Sequence, residues 1–432
     1  MNIVQIIPGS GGSFYCGNCL RDSKFVTALR EEGHQVVKVP MYLPLFSDEH
    51  DLGEIPVFYG AISIYLKQLY PIFRKAPAWF DKLLNSKPML KLAAGMAGST
   101  NAKGLEEMTL SMLLGEEGKQ KEELEKMVDW IGEHLKPDVV HISNALLLGL
   151  ARRIREKTGV PVVCSLQDED VWVDVMKPEF QDQIWKQMTL KAQDVDAFIA
   201  VSQYFGEVMK TRMSLPDEKV FPVYLGVDPG EYEFIPSTDK PRAVGYISRL
   251  CQANGFDIVV DAFIKLRQDP AFQDVRLVVT GGSTQSDTKY IKMLKRRLDR
   301  AGLHNEVDFH DEFEGPGRTD FFRKIVIGSV PVRNGEAFGM YLPELMASGI
   351  PIVQPALGAF PEIVKLSSGG VTYEPNSPDE LAKAWAGLLQ DPQRLEKLSH
   401  QARKGVEQYF NIHDHAKEMI GVYQRLIGSP EA

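Results

Sequence analysis

Two glutamates at a fixed spacing carry the clearest chemistry in this chain. Residues 334–362 read NGEAFGMYLPELMASGIPIVQPALGAFPE and contain Glu336 and Glu344, with seven residues between them. If a helix opens at Ala337, Glu336 stands just before its N-terminus and Glu344 lies about two turns in. Carboxylates suit the hydroxyl groups of sugars and riboses, because each accepts charge-assisted O–H hydrogen bonds. The spacing therefore predicts a site for a ligand rich in hydroxyl groups.

Neighbouring groups predict that the ligand also carries negative charge. The first amides of the predicted helix, those of Phe338, Gly339 and Met340, would lack helical acceptors and lie at the positive end of the helix dipole. These amides favour a ligand that carries negative charge.

A glycine-rich loop follows the first predicted strand. The loop PGSGGS at 8–13 contains Gly11 and Gly12, whose bare backbone can approach a ligand closely and present N–H groups. The loop does not fit the dinucleotide pattern GxGxxG, because Phe14 stands where the last glycine should be. This mismatch argues against a dinucleotide-binding oxidoreductase.

The elements that position these residues alternate strand, turn and helix twice along the chain. The predicted strands are short apolar runs at Asn2–Ile7, Gln35–Pro40, Asp138–Ile142, Val160–Leu166, Ala197–Ser202, Ala243–Ser248, Arg276–Thr280, Val307–His310, Ile325–Val330 and Pro351–Gln354. They predict an α/β fold of two doubly wound, Rossmann-like domains facing each other across a cleft, with ligands at the carboxyl ends of the strands. We expect an N-terminal domain at 1–235, a C-terminal domain at 236–410, and a helix at 411–432 that packs back on the N-terminal domain.

One segment, at about 43–121, interrupts this alternation and is interpreted as a helical insertion. Its part at 60–100 carries six Lys and Arg residues against one acidic residue, together with five aromatic residues. Two interpretations stay open. The segment is either a helical subdomain packed over the ligand cleft, which we prefer, or a peripheral contact with a membrane surface or a lipid-linked ligand.

The composition is that of an ordinary globular protein with an acidic balance. The 432 residues suffice for two domains of roughly 200 residues each. With 49 Lys and Arg against 58 Asp and Glu, the net charge is −9, which argues against nucleic-acid binding. The N-terminus predicts a buried strand rather than a signal peptide, no apolar run is long enough to span a bilayer, and four cysteines do not make a disulfide framework. We therefore expect a cytoplasmic protein, with the inner membrane surface as the alternative setting.

The motif around Glu336 and Glu344, with MASGIP at 346–351 and the later Gly358 and Glu362, resembles that of the retaining GT-B glycosyltransferases of family 4, also called glycosyl transferases group 1. The resemblance covers most of the chain outside the insertion. It implies that Glu336 faces the transferred sugar and that Glu344 holds the ribose of a nucleotide-sugar donor. It also implies that Arg249 binds the donor diphosphate and that the glycine loop closes over the donor or the acceptor.

Two positions depart from the pattern of that family. The family usually has a lysine five residues after the arginine, where this chain has Asn254. In the segment VVCSLQD at 162–168, the family has a strand that ends in histidine, where this chain has Gln167 followed by Asp168. The loss of the lysine weakens the predicted grip on phosphate. Glutamine can bond a sugar hydroxyl but cannot titrate, which predicts altered specificity or lost activity.

The resemblance implies a metal-independent hexosyltransferase that uses a nucleotide-sugar donor and a glycan, lipid-linked or small-molecule acceptor, with no cofactor. Asp168-Glu169-Asp170 mimics a metal clamp only formally, and we predict no metal site. Cys16 and Cys19 are interpreted as packing residues rather than as a redox or metal pair. The alternatives are a lapsed transferase that binds a nucleotide or glycan without turnover, and a sugar-nucleotide epimerase or a phosphorylase on the same fold.

Overall fold

The structure, a computed structural model, describes residues 1–8, 17–41, 104–312 and 315–428. Gly11, Gly12, the 60–100 segment, Cys16 and the side chain of Cys19 lie outside the described residues. The chain divides into two compact units. The first unit comprises Met1–Gly12, Asp22–Tyr224 and His415–Ala432, and the second comprises Ser13–Arg21 and Leu225–Asp414.

A six-stranded parallel sheet in the order β2-β1-β3-β4-β5-β6 forms the centre of the first unit. Its strands are β1 Asn2–Ile7, β2 Gln35–Pro40, β3 Val139–Ile142, β4 Val162–Leu166, β5 Ala197–Ala200 and β6 Val220–Pro222. Every residue of β3, β4 and β5 is buried, as expected for strands that are covered by helices on both faces. The helices up to residue 224 are α1 Gly17–Glu31, α2 Glu106–Leu114, α3 Lys121–Trp130, α4 Ala151–Thr158, α5 Glu169–Val173, α6 Pro178–Lys191 and α7 Gln203–Met213.

The second unit contains a parallel sheet of the same size, in the order β12-β11-β10-β7-β8-β9. Its strands are β7 Ala243–Ile247, β8 Arg276–Thr280, β9 Val307–Phe309, β10 Ile327–Gly328, β11 Ile352–Pro355 and β12 Gly370–Tyr373. The remaining helices are α8 Phe256–Leu266, α9 Thr288–Arg300, α10 Gly315–Arg323, α11 Tyr341–Ala347, α12 Phe360–Ser367, α13 Pro378–Leu389, α14 Pro392–Tyr409 and α15 Ile412–Gly428. The predicted α/β architecture of two Rossmann-like sheets is confirmed.

The two ends of the segment Leu225–Asp414 lie next to each other. The amide of Val227 donates to the Phe410 carbonyl at 3.0 Å, and the amide of Ile412 donates to the Val227 carbonyl at 3.1 Å. The approach is so close that a Cβ on Gly226 would lie 2.5 Å from the Phe410 oxygen, so this position requires glycine. In the first unit, the phenol oxygen of Tyr423 on α15 lies 2.6 Å from Nδ1 of His141 on β3.

No helix among the described residues is long and apolar enough to cross a bilayer.

Candidate functional site

The loop after β10 places Glu336, which is half-buried, beside a turn of backbone at 357–359. The Glu336 carbonyl accepts a hydrogen bond from the Ala359 amide at 3.0 Å. The prediction that a helix opens at Ala337 is wrong, because α11 begins at Tyr341. Gly339 has a φ of 93°, a left-handed conformation that interrupts helical geometry and that a side chain would strain. Glu336 therefore lies in a loop ahead of the helix, with Gly339 close to its carboxylate.

The amides predicted to bind an anion lie in the same loop, ahead of the helix. Within the described part of the chain, the amides of Gly339 and Met340 donate no hydrogen bond. Phe338 is buried and its ring lies edge-on to Phe410, with 5.6 Å between the ring centroids. The loop thus combines an anchored aromatic residue, a carboxylate and two amide donors that are available to a ligand.

The second glutamate of the motif is fully buried and paired. The Glu344 side chain has 0% exposure, and its Oε1 lies 3.0 Å from Arg318 Nη1. The same oxygen accepts the phenol of Tyr232 at 2.9 Å. Burial raises the pKa of Tyr232 well above its ordinary value, and the charge of Glu344 adds to the rise, so the phenol remains a donor. Arg318 and Tyr232 are partners that sequence reasoning missed, since no motif connects them with Glu344.

Arg249 follows β7 and already holds a carboxylate. Its Nε and Nη2 donate to the two oxygens of Asp287 at 2.9 and 3.1 Å, and Nη2 also donates to Thr284 Oγ1 at 2.8 Å. Burial opposes ionisation of Asp287, but the hydrogen bonds from Arg249 and Thr284 outweigh it and lower the pKa of the carboxyl. The guanidinium is therefore held in one orientation at the carboxyl end of the sheet, with an acidic partner on one edge.

Asn254, at the position of the missing lysine, is held by its neighbours. Its Nδ2 donates to Ser248 Oγ at 2.8 Å, so the side-chain amide stabilises the loop between β7 and α8. A cation lies against the same loop. Arg333 donates from its backbone to the Ala253 carbonyl and from Nε to the Gln252 carbonyl, both at 3.0 Å. Sequence reasoning missed Arg333 because it is distant along the chain and belongs to no motif.

In the first unit, Gln167 and Asp168 follow β4. Gln167 is only 6% exposed, and its Nε2 donates to the Ser143 carbonyl at 2.8 Å. Its Oε1 is buried and accepts no hydrogen bond from any residue that the structure describes. Asp168 has a φ of 53° and precedes α5. Gln167 thus offers a buried acceptor that lacks a donor among the described residues and that a ligand or a water molecule would satisfy.

The middle residue of the acidic run at 168–170 is bound to backbone amides. Glu169 is 1% exposed, and its two oxygens accept the amides of Ala145 and Gln167 at 2.8 and 2.7 Å. Burial raises the pKa of Glu169 to about 8, although these amide hydrogen bonds lower it. Among the described residues, no group of three or more potential ligand side chains is arranged to hold a metal ion.

The predicted residues therefore form one set in each unit. The second unit brings Arg249, Asn254 and the 336–344 segment to the carboxyl ends of β7 and β10. The first unit brings Gln167 and Asp168 to the carboxyl end of β4. In open α/β sheets this edge is where ligands bind.

Comparison with known proteins matches two consecutive stretches of the chain to glycosyltransferase families. Residues 231–405 match the family "Glycosyl transferases group 1", and residues 116–231 match "Glycosyltransferase Family 4". An uncharacterized glycosyltransferase, MJ1607 of Methanocaldococcus jannaschii, is 23% identical over 70% of this chain and 79% of its own length. The lipopolysaccharide core biosynthesis mannosyltransferase LpsB of Rhizobium meliloti is 28% identical over 47% of this chain, which spans 54% of that relative.

Solved structures share the fold over almost the whole chain. A sucrose-phosphate synthase from Thermosynechococcus elongatus has a TM-score of 0.72 at 18% identity and covers 99% of both chains. Anabaena Alr3699/HepE in complex with UDP has a TM-score of 0.67 at 18% identity, covering 99% of this chain and all of the other. The two family matches lie end to end over residues 116–405, which include four strands of the first sheet and all six of the second, and this chain belongs to the GT-B glycosyltransferases of group 1 and family 4.

Proposed function

We propose that the protein is a retaining, metal-independent hexosyltransferase that uses a nucleotide-sugar donor. The observation that carries the proposal is the grouping of Glu336, Arg249 and the amides of Gly339 and Met340 at one edge of the second sheet. The relatives support it. LpsB is named a mannosyltransferase, others are named D-inositol 3-phosphate glycosyltransferases, and HepE was solved with UDP and with UDP-glucose. The four cysteines fit action in a reducing cytoplasm.

In this proposal the second unit binds the donor. Arg249 and the two amides stabilise the charge that develops on the departing diphosphate, and they are preorganised to do so before the donor arrives. Glu336 accepts hydrogen bonds from hydroxyls of the transferred sugar. The family pattern assigns the ribose hydroxyls to Glu344, which is fully buried and must exchange its bond from Tyr232 or Arg318 to accept one of them.

The first unit supplies the acceptor side. Gln167 Oε1 accepts a hydrogen bond from a carbohydrate hydroxyl, and Asp168 lies next to it. The acceptor oxygen bonds to the anomeric carbon on the face that the diphosphate leaves, and its proton passes to an oxygen of that diphosphate. This chemistry needs no titrating side chain at residue 167. The acceptor is a glycan, a lipid-linked sugar or a small molecule.

The test is thermal unfolding with UDP, GDP or ADP in excess, with and without EDTA, followed by turnover of the matching nucleotide sugars. A nucleotide at about 100 times its dissociation constant stabilises a protein by roughly 2.7 kcal/mol. We expect stabilisation by one nucleotide, unaffected by EDTA, and its loss in Arg249→Ala. Arg323→Ala is the matched control, because Arg323 is 54% exposed and pairs with Glu233 on the surface. Normal turnover in Arg249→Ala or Glu336→Ala refutes the assignment.

A second candidate function is nucleotide or glycan binding without turnover. The observation in its favour is Asn254, whose side chain is tied to Ser248 and supplies no positive charge to a phosphate. Nucleotide binding with neither transfer nor hydrolysis over a broad acceptor panel would favour this candidate. Conversion of the donor alone would indicate an epimerase, and dependence on inorganic phosphate would indicate a phosphorylase.

A further inference from the structure

A buried carboxylate joins two neighbouring turns of the first unit. The strands β3 and β4 are adjacent in the sheet, and the turns that follow them contain Ala145 and Gln167. Glu169 Oε1 accepts the Ala145 amide at 2.8 Å, and Oε2 accepts the Gln167 amide at 2.7 Å. One side chain therefore binds the backbone at the carboxyl ends of both strands.

Burying this carboxylate lowers the stability of the fold. A carboxylate that is moved out of water needs a cation or several hydrogen bonds to offset its lost hydration. Glu169 is 1% exposed, and the part of the chain that the structure describes places no Lys, Arg or His in an ion pair with it. Burial raises its pKa to about 8, and the charge of Asp168 adds to the rise. An apolar residue here would leave the amides of Ala145 and Gln167 without this acceptor, so the carboxylate serves the backbone of these two turns.

That role is to place Gln167. Its amide is held by Glu169, and its side-chain Nε2 is held by the Ser143 carbonyl at 2.8 Å. Both bonds fix the residue between the two turns. The side-chain oxygen Oε1 is buried and accepts no hydrogen bond among the described residues, so it is the atom that a ligand can use.

We propose that Glu169 is a positioning residue that locks the turns after β3 and β4 together, so that Gln167 Oε1 is presented to a hydroxyl of a bound carbohydrate. This inference rests on the proposed function for its ligand class. The lock itself, two amide hydrogen bonds to one carboxylate, does not depend on it.

The test uses Glu169→Gln in the full chain at pH 9, above the raised pKa of Glu169, so that the wild type carries the carboxylate. The variant keeps the shape but replaces one oxygen by an NH2 group, which faces a backbone N–H donor and cannot accept it. We expect amide hydrogen exchange in the peptides holding Ala145 and Gln167 to become roughly tenfold faster at one of the two turns, a factor that corresponds to about 1.4 kcal/mol. The matched control is Glu179→Gln on α6, where the side chain is exposed.

A second variant removes one amide donor instead of the carboxylate. Ala145→Pro removes the donor at the first residue of a short 3₁₀ segment, Ala145–Leu150. Proline suits the first position of a helical turn, and the preceding Asn144 has the extended backbone (φ −159°, ψ 162°) that proline requires. This variant should loosen the Gln167 turn while the carboxylate is still present, which keeps the proposal testable if Glu169→Gln does not fold.

Turnover measurements distinguish a positioning role of Glu169 from simple support of the fold. With the nucleotide sugar that the wild type uses, kcat in Glu169→Gln should fall about tenfold while the dissociation constant of the nucleotide stays unchanged, because the second unit binds it. Unchanged exchange at both turns, faster exchange spread over the whole first unit, or local loosening with a normal kcat would each overturn the proposal. A wild type that turns over no nucleotide sugar would refute the proposed function, and the exchange comparison would still decide whether Glu169 is the lock.

Discussion

Replacing Arg318 by methionine should destabilise the second unit, because it removes the cation from the fully buried carboxylate of Glu344. The pair is well enclosed, with Arg318 15% exposed and Glu344 not exposed at all. Removing one partner of a buried ion pair costs about 3–5 kcal/mol, mostly through the charge that is left behind. The Tyr232 phenol still donates to Glu344, so we expect the lower part of that range, about 3 kcal/mol.

The measurement is a double-variant cycle of Arg318→Met, Glu344→Gln and the two together, followed by thermal unfolding. For a unit of this size, about 3 kcal/mol corresponds to a Tm lower by roughly 6–12 °C. The double variant should regain most of the loss, since neither charge is then left without a partner. Arg323→Met on the same helix is the control, because its ion pair with Glu233 is half exposed on both sides and should contribute less than about 1 kcal/mol. A loss in Arg318→Met no larger than in Arg323→Met would refute the reasoning.

Three further changes have outcomes that the structure specifies. Gly339→Ala would put a Cβ 2.8 Å from Glu336 Oε2 at a φ of 93° and should abolish turnover, whereas Gly387→Ala on α13, with no atom within 4 Å, should not. Lys240 is buried, which lowers its pKa to about 8. The unfolded chain therefore binds more protons than the native one above pH 8, so stability in urea should rise with pH from about 8 to 10, and Lys240→Met should lack that rise. Asp287 orients the Arg249 guanidinium, so Asp287→Asn should lower nucleotide affinity severalfold, while an increase at low salt that fades at high salt would show that removal of the negative charge outweighs the lost orientation.

The sequence predicts the interior of both sheets well because their strands are buried on both faces. Continuous apolar runs identify β1 and β8 to the residue. The short edge strands, Val220–Pro222 and Gly370–Tyr373, were missed. They contain proline or glycine and exposed positions, so their strand state depends on pairing with a neighbour rather than on their own pattern.

For the site, the motif identifies the residues but not their partners. The spacing of Glu336 and Glu344 identifies both glutamates. It places the helix start four residues too early, because Gly339 between them adopts a left-handed backbone. Arg318, Asp287 and Glu169 act through contacts between segments that are remote in sequence or through burial. Neither a spacing rule nor a propensity contains that information.

The meeting of Val227 with Phe410 and Ile412 has a consequence for how the protein can be rearranged. The segment Leu225–Asp414, which forms most of the second unit, leaves the first unit after Tyr224 and returns to it at His415, and residues close to these two points are joined by backbone hydrogen bonds. This segment is therefore an insertion with adjoining ends, so the first unit can connect across it as across a short loop, with little added entropy cost. Recombination at these two points could exchange Leu225–Asp414 for the corresponding segment of a relative without reshaping the first unit. Under the proposed function, such an exchange would change the donor while keeping the acceptor.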